Sequence, residues 1–396
     1  MANPEQVLLS LFIVFVSAQV GSEVAQRLKL PSVVGQIAAG IAIGPSALAW
    51  ISPNQPLEVL AEIGAILLLF SVGLETRLAE LRRVGKIALY VGILGVIVPF
   101  LIGGAWALAA SFPLHKAAFV AAAFVATSAG ITARVLQELG ALDRIESRVI
   151  LGAAIIDDVL AMLLLGVVAA LQTQAGVDIV NLGFVLAQAV GFVALVALLG
   201  TKIMKRSSKL LEAPMDAESP LSISLAVCLG LAAAAAYSGL AAIIGAFLAG
   251  MILAETQHRD DLEQNTRPLM ALLLPFFFVL TGSHVDLALL SSWPVIATVL
   301  FVTLLAVISK LIGCGLAAKS MGARSAITIG VGMVPRGEVG IIIASLGKQA
   351  GVFGAGTYAI VIAMSLLTSV IAPPALKVLL RQGPTEAGDA KSAETP

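Results

Sequence analysis

Two adjacent carboxylates, Asp157 and Asp158, interrupt an apolar stretch running from Leu151 to Val168. A carboxylate at that depth in a bilayer has no water to solvate it, so such residues mark ion or proton paths. Lys310 stands inside a second apolar run, and Arg336 and Glu338 follow Pro335 inside a third. Neighbouring residues on a helix point about 100° apart, so the two aspartates cannot face one partner equally well. One of them can pair with Lys310, which avoids isolating a charge in low dielectric. The other is then available to a mobile cation. A small hard ion such as sodium takes oxygen ligands: carboxylate, Thr or Ser hydroxyls, and freed backbone carbonyls. Thr127 and Ser128, in Ala126-Thr-Ser-Ala-Gly-Ile-Thr132, are of that type. A static ion-pair network would explain one Asp and one Lys, but not the second Asp.

These residues sit in a membrane chain. Of its 396 residues 59% are apolar and 12% charged, and the net charge is zero, so nothing points to nucleic acid. Cys228 and Cys314 both lie in apolar runs and read as small buried hydrophobes. The first apolar run carries neither a basic residue before it nor a cleavage signal after it, and is expected to be retained as a span. Thirteen apolar segments follow one another at 6–26, 31–48, 57–75, 86–110, 116–138, 148–172, 178–203, 220–237, 240–256, 266–283, 293–318, 323–349 and 356–381. Most are long enough to cross about 30 Å of hydrocarbon as a helix. They form one membrane unit over 1–382, with a disordered cytoplasmic tail expected at 383–396. With the N-terminus outside, 20 of the 24 Lys and Arg residues fall on the cytoplasmic side, and only Lys116 and Lys348 fall outside. The positive-inside rule therefore predicts an external N-terminus and a cytoplasmic C-terminus in the cell's inner membrane.

The chain also echoes itself. Val33–Gly40 resembles Ile243–Gly250 at an offset of 210, Phe70–Gly73 resembles Val279–Gly282 at 209, and Gly130 and Gly140 match Gly337 and Gly347 at 207. This carries segments 2 to 6 onto 9 to 13, an odd displacement, so the halves are expected to be inserted upside down relative to each other. Transporters built this way bind substrate near the midplane on interrupted helices at corresponding positions. Segments 5 and 12 are the candidates. Pro335 removes a backbone bond in mid-span; segment 5 has no proline, and its break is expected only through the repeat. By helical rise Asp157 and Asp158 lie roughly 13 to 15 Å inward of Arg148, Lys310 roughly 13 Å from Lys319, and Pro335 roughly 16 Å from Arg324. All share one layer. At the same offset Asp157 and Asp158 fall opposite Met364 and Ser365, so the ionisable groups belong to one half only.

Ala126–Gly140, Gly152-Ala-Ala-Ile-Ile-Asp-Asp-Val-Leu160 and Pro335-Arg-Gly-Glu-Val-Gly340, together with the intramembrane Lys310, resemble the monovalent cation:proton antiporter-2 family, bacterial NapA-type sodium/proton antiporters in particular. The resemblance spans nearly the whole chain. It implies an all-α polytopic protein of 13 transmembrane helices with the NhaA-like antiporter fold, two interrupted helices crossing beside the aspartates. It also implies a homodimer, with helices 1–3 and 8–10 for dimerisation, a moving ion-carrying core of helices 4–6 and 11–13, and a linker helix at 178–203. Carried over, Asp158 binds sodium (or lithium) or a proton, Asp157 pairs with Lys310, Lys310 carries a second proton, and Thr127 and Ser128 lie in the unwound stretch. The partners so implied are sodium or lithium ions, protons and the bilayer; no cofactor is implied. Arg336 and Glu338 are expected to compensate the helix ends at the Pro335 break. His115, His258 and His284, all near segment ends, are expected to be solvated or interfacial rather than pH sensors. Two rival readings are a potassium/proton antiporter and a sodium-coupled solute symporter of related fold. An intramembrane aspartyl protease would need two carboxylates face to face across one proton, which adjacent residues on one helix cannot provide.

Overall fold

A computed structural model describes residues 4–76, 78–170, 187, 191–192, 196, 219–238, 240–284, 292–349 and 351–381. Among the described residues all regular structure is helical. In chain order the helices are α1 (Pro4–Arg27), α2 (Ser32–Ile43), α3 (Gln55–Glu75), α4 (Leu78–Ala109), α5 (Leu114–Val125), α6 (Ala129–Glu138) and α7 (Ile145–Ala170). The second series is α8 (Ser219–Tyr237), α9 (Ala242–Leu253), α10 (Arg259–Ser283), α11 (Trp293–Ala317), α12 (Ala323–Gly332), α13 (Gly337–Gln349) and α14 (Ala355–Arg381). Among the described residues, eight spans, with Leu114–Glu138 taken as one, are long and apolar enough to cross a membrane. In hydrocarbon each backbone N–H and C=O must find a partner inside the protein, and the helix supplies it locally. The outer faces are apolar, as Leu8, Phe12, Val16 and Val20 of α1 illustrate.

The expected linker helix at 178–203 and the tail at 383–396 lie outside the described residues, apart from isolated positions of the former. Several boundaries differ from the hydropathy reading. α4 begins at Leu78 rather than 86, and α10 at Arg259 rather than 266. Hydropathy sees only the part of a helix that meets lipid, whereas hydrogen bonding carries these helices on into the aqueous layer. Asp260 and Asp261 in the first turn of α10 favour that extension by complementing the helix dipole. α2 and α9 have 12 residues each and are too short to cross by themselves.

Packing follows the internal offset closely. Gly35 of α2 meets the Gly21 carbonyl of α1, and 210 residues on Gly245 of α9 meets the Leu231 carbonyl of α8. Gly40 lies against Val279 and Gly282 against Ile37; their counterparts Gly250 and Gly73 lie against Phe70 and Phe247. Thus α2 packs on α10 as α9 packs on α3. Small residues allow this approach, the main source of helix association where lipid removes the hydrophobic drive.

Candidate ion-binding site

Segments 5 and 12 are both broken. α5 stops at Val125 and α6 starts at Ala129; Ala126 and Ser128 between them are extended, with ψ of 137° and 101°. α12 stops at Gly332 and α13 resumes at Gly337. A break in a span leaves carbonyls at one helix end and N–H groups at the next without intrahelical partners, and here each interrupted span satisfies the other. Ser128 N donates to the Pro335 carbonyl at 2.7 Å, so the two unwound stretches touch. Thr132 Oγ1 donates to the Gly332 carbonyl at 2.7 Å, at the C-terminal end of α12. Gly337 N, at the start of α13, donates to Ser369 Oγ of α14 at 3.1 Å.

Arg336 completes the set. Fully buried, it donates to the carbonyls of Val334 (2.9 Å), Phe124 (2.7 Å) and Ala306 (3.1 Å), tying its own break to the end of α5 and to α11. One guanidinium thus places positive charge at the carbonyl-rich end of a half-helix, which its dipole favours. The Glu338 side chain lies outside the described residues. Each carbonyl left unpaired in a dry interior costs about 1–3 kcal/mol. Arg336→Ala is therefore expected to destabilise the fold by about 3 kcal/mol or more, and Arg336→Lys, which lacks the planar fork, by less. Thermal unfolding of purified protein in detergent checks this; an Arg336→Ala protein as stable as wild type would refute it.

The charged residues meet beside the crossing. Lys310 Nζ lies 3.2 Å from Asp157 Oδ1 and 3.3 Å from Oδ2, with both side chains withdrawn from solvent. Thr127 Oγ1 lies 3.5 Å from the carbonyl oxygens of Val125 and Met333, between the two broken spans. Asp158, one residue on, turns away from this pair: it lines a crevice of about 10 Å³ with Ala129 of α6, Leu69 of α3 and Phe247 of α9. That is room for about one water-sized particle. Thr127 and Ser128 are buried in the unwound stretch, and Pro335 supplies the carbonyl of the crossing.

Spacing alone did not single out three of the groups that shape this place. Thr132 and Ser369 close orphan backbone groups, and both occur among other helix hydroxyls that bond their own turn; the only available signal was their nearness to expected breaks. Gly95 of α4, beside the pair, has no sequence signal at all.

At its C-terminal end α6 is bound to its neighbours. Glu138 accepts from Arg134 Nε at 3.0 Å, from Ser32 N at 3.1 Å and from Ser32 Oγ. Gln137 Nε2 donates to Ser71 Oγ (3.0 Å) and Glu75 Oε1 (2.9 Å) of α3. All of these but Ser71, with Gln36 and Arg267, line a polar cavity of about 650 Å³.

Residues 10–382 match the family described as sodium/hydrogen exchanger, transmembrane. The chain belongs to this family. Its members act as secondary transporters rather than enzymes. Among curated exchanger-family proteins, the chain is 34% identical to the high-affinity Na(+)/H(+) antiporter NhaS3 of Synechocystis, over 98% of this chain and 93% of that one. It is 35% identical to the Na(+)/H(+)-K(+) antiporter GerN of Bacillus cereus, over 92% and 94%. In fold it resembles the sodium proton antiporter MjNhaP1 of Methanocaldococcus jannaschii, with a TM-score of 0.69 at 19% identity, over 95% of this chain and 99% of that one. The chain is accordingly a multi-pass membrane protein of the exchanger family.

Proposed function

We propose that the protein exchanges cytoplasmic sodium, or lithium, for external protons, moving net charge in each cycle. The observation that carries this reading is the division of labour between adjacent carboxylates: Asp157 held by Lys310, Asp158 turned into a separate crevice beside the unwound helices. Sodium and a proton compete for Asp158. The ion takes its oxygen ligands from Asp158, Thr127, Ser128 and freed carbonyls of the unwound stretches. Sodium entry also opens the Asp157–Lys310 pair, and Lys310 then gives up its proton, so that two protons exchange for one sodium. Arg336 and Pro335 hold the broken helices in register around the site.

Alternating access follows from movement of an ion-carrying core, spans 4–6 and 11–13 (α4–α7 and α11–α14), past a dimerisation part, spans 1–3 and 8–10 (α1–α3 and α8–α10). The matched packing of α2 on α10 and of α9 on α3 supports the inverted repeat and, with it, the thirteen-helix NhaA-like arrangement. In this cycle the Glu138–Ser32 and Gln137–Glu75 bonds, which join core to dimerisation helices, break and reform. The protein works as a homodimer in the cell's inner membrane, N-terminus outside and C-terminus in the cytoplasm, the orientation its basic residues favour.

The test is a pH-sensitive dye in sealed vesicles holding an acid interior. Sodium and lithium are expected to dissipate the proton gradient and potassium to do so far less. An equal potassium response would favour a potassium/proton antiporter. No response to any of the three cations would overturn antiport and leave a solute symporter.

A further inference from the structure

The Asp157–Lys310 pair has a neighbour that neither charge nor hydropathy marks. α4 packs against both α7, which carries Asp157, and α11, which carries Lys310. At the level of the pair α4 presents Gly95. A β-carbon there would stand 2.9 Å from Cys314 Sγ, 3.8 Å from Lys310 Nζ and 4.0 Å from Asp157 Oδ1. The two longer distances are ordinary van der Waals contacts, whereas the first is a collision. A side chain at 95 therefore meets Cys314 before it meets the pair.

Cys314 lies one turn beyond Lys310 on the same face of α11. It is fully buried, with its thiol 3.8 Å from the Val91 carbonyl and packed in a cluster with Val149 and Ala153. The thiol has little space to turn into, so its displacement passes to α11. Nearby, Gly313 of α11 lies directly against the Leu94 carbonyl of α4, and the two helices meet backbone to backbone.

We propose that Gly95 is a positioning residue for the Asp157–Lys310 pair: its missing side chain sets the spacing at which α11 brings Lys310 to Asp157. The inference rests on the proposed function, in which this pair holds an exchangeable proton. At 3.2 and 3.3 Å the two contacts are already at the long end of hydrogen bonding. Relieving a 2.9 Å contact to an ordinary 3.4 Å needs about 0.5 Å, enough to carry both beyond that range.

The experiment measures the pH profile of sodium/proton exchange in vesicles for wild type, Gly95→Ala, Cys314→Ala and the double variant. Gly95→Ala is expected to move the profile toward acid by roughly one pH unit, a tenfold change in proton affinity, because a looser pair surrenders its proton sooner. Cys314→Ala makes room for the new methyl, so the double variant should match Cys314→Ala alone. An unmoved profile in Gly95→Ala overturns the proposal, and so does a shift that persists in full in the double variant. If Gly95→Ala is not recovered folded, Cys314→Val, which fills the same gap from the side of α11, must give the acid shift in its place. Absence of exchange in wild type overturns the proposed function and this inference together; normal wild-type exchange with unmoved variants overturns this inference alone.

Discussion

Asp158→Asn abolishes sodium-driven proton movement in sealed vesicles, reducing it to the level of protein-free liposomes, while the protein still purifies as a folded species. The amide keeps the size of the side chain but carries no charge for sodium and no exchangeable proton. Both halves of the exchange are therefore lost together. Folding survives because asparagine matches aspartate in size and the Asp157–Lys310 pair is left intact. The same change at Asp157 is expected to behave differently: it leaves Lys310 charged and unpaired in a dry interior, a loss of about 3–5 kcal/mol. Asp158→Asn protein that still couples sodium to protons at the wild-type rate would remove Asp158 from the ion site.

Lys310→Gln leaves exchange in place but makes it insensitive to voltage. In the proposed cycle Lys310 carries the second proton, and that proton is the net charge moved. One charge crossing 100 mV corresponds to about 2.3 kcal/mol, so for wild type an inside-negative potential of that size should alter the limiting sodium gradient by about 50-fold. Exchange by Lys310→Gln should reach the same limit with and without the potential, clamped by potassium and valinomycin. Glutamine can still donate a hydrogen bond to Asp157, which limits the disturbance of the fold. Asp157→Asn/Lys310→Gln, which removes both charges, provides the comparison: it too should be electroneutral and at least as stable as either single variant, since neither charge is then left alone. Unchanged voltage dependence in Lys310→Gln would sink the proton-carrier role.

Much of the candidate site was legible because depth in a membrane is a one-dimensional quantity. Counting helical rise from Arg148, Lys319 and Arg324 brings Asp157, Lys310 and Pro335 to one layer without any knowledge of packing. The break at Pro335 could be read from chemistry, since proline cannot donate the missing bond. The break at Thr127 and Ser128 could be read only through the 207-residue offset, because its local sequence is compatible with a continuous helix. The interruption there is held from outside, by the Ser128 N to Pro335 O bond and by Arg336 on the Phe124 carbonyl.

Sequence alone thus determined the membrane class and the apolar segments, and it predicted one layer for the charged groups and a correspondence between halves, all of which follow from composition and position along the chain. Only the tertiary structure decided azimuth and partnership. Residue spacing left open which aspartate meets Lys310, and the fold turns Asp157 to the lysine and Asp158 to the crevice. Nothing in Arg336 or its neighbours announces that its guanidinium serves carbonyls on three separate stretches of chain, and nothing in Gly95 announces a nearby ion pair. Such contacts join residues far apart in the chain through helix rotation and close packing, and a linear pattern of residue types records neither.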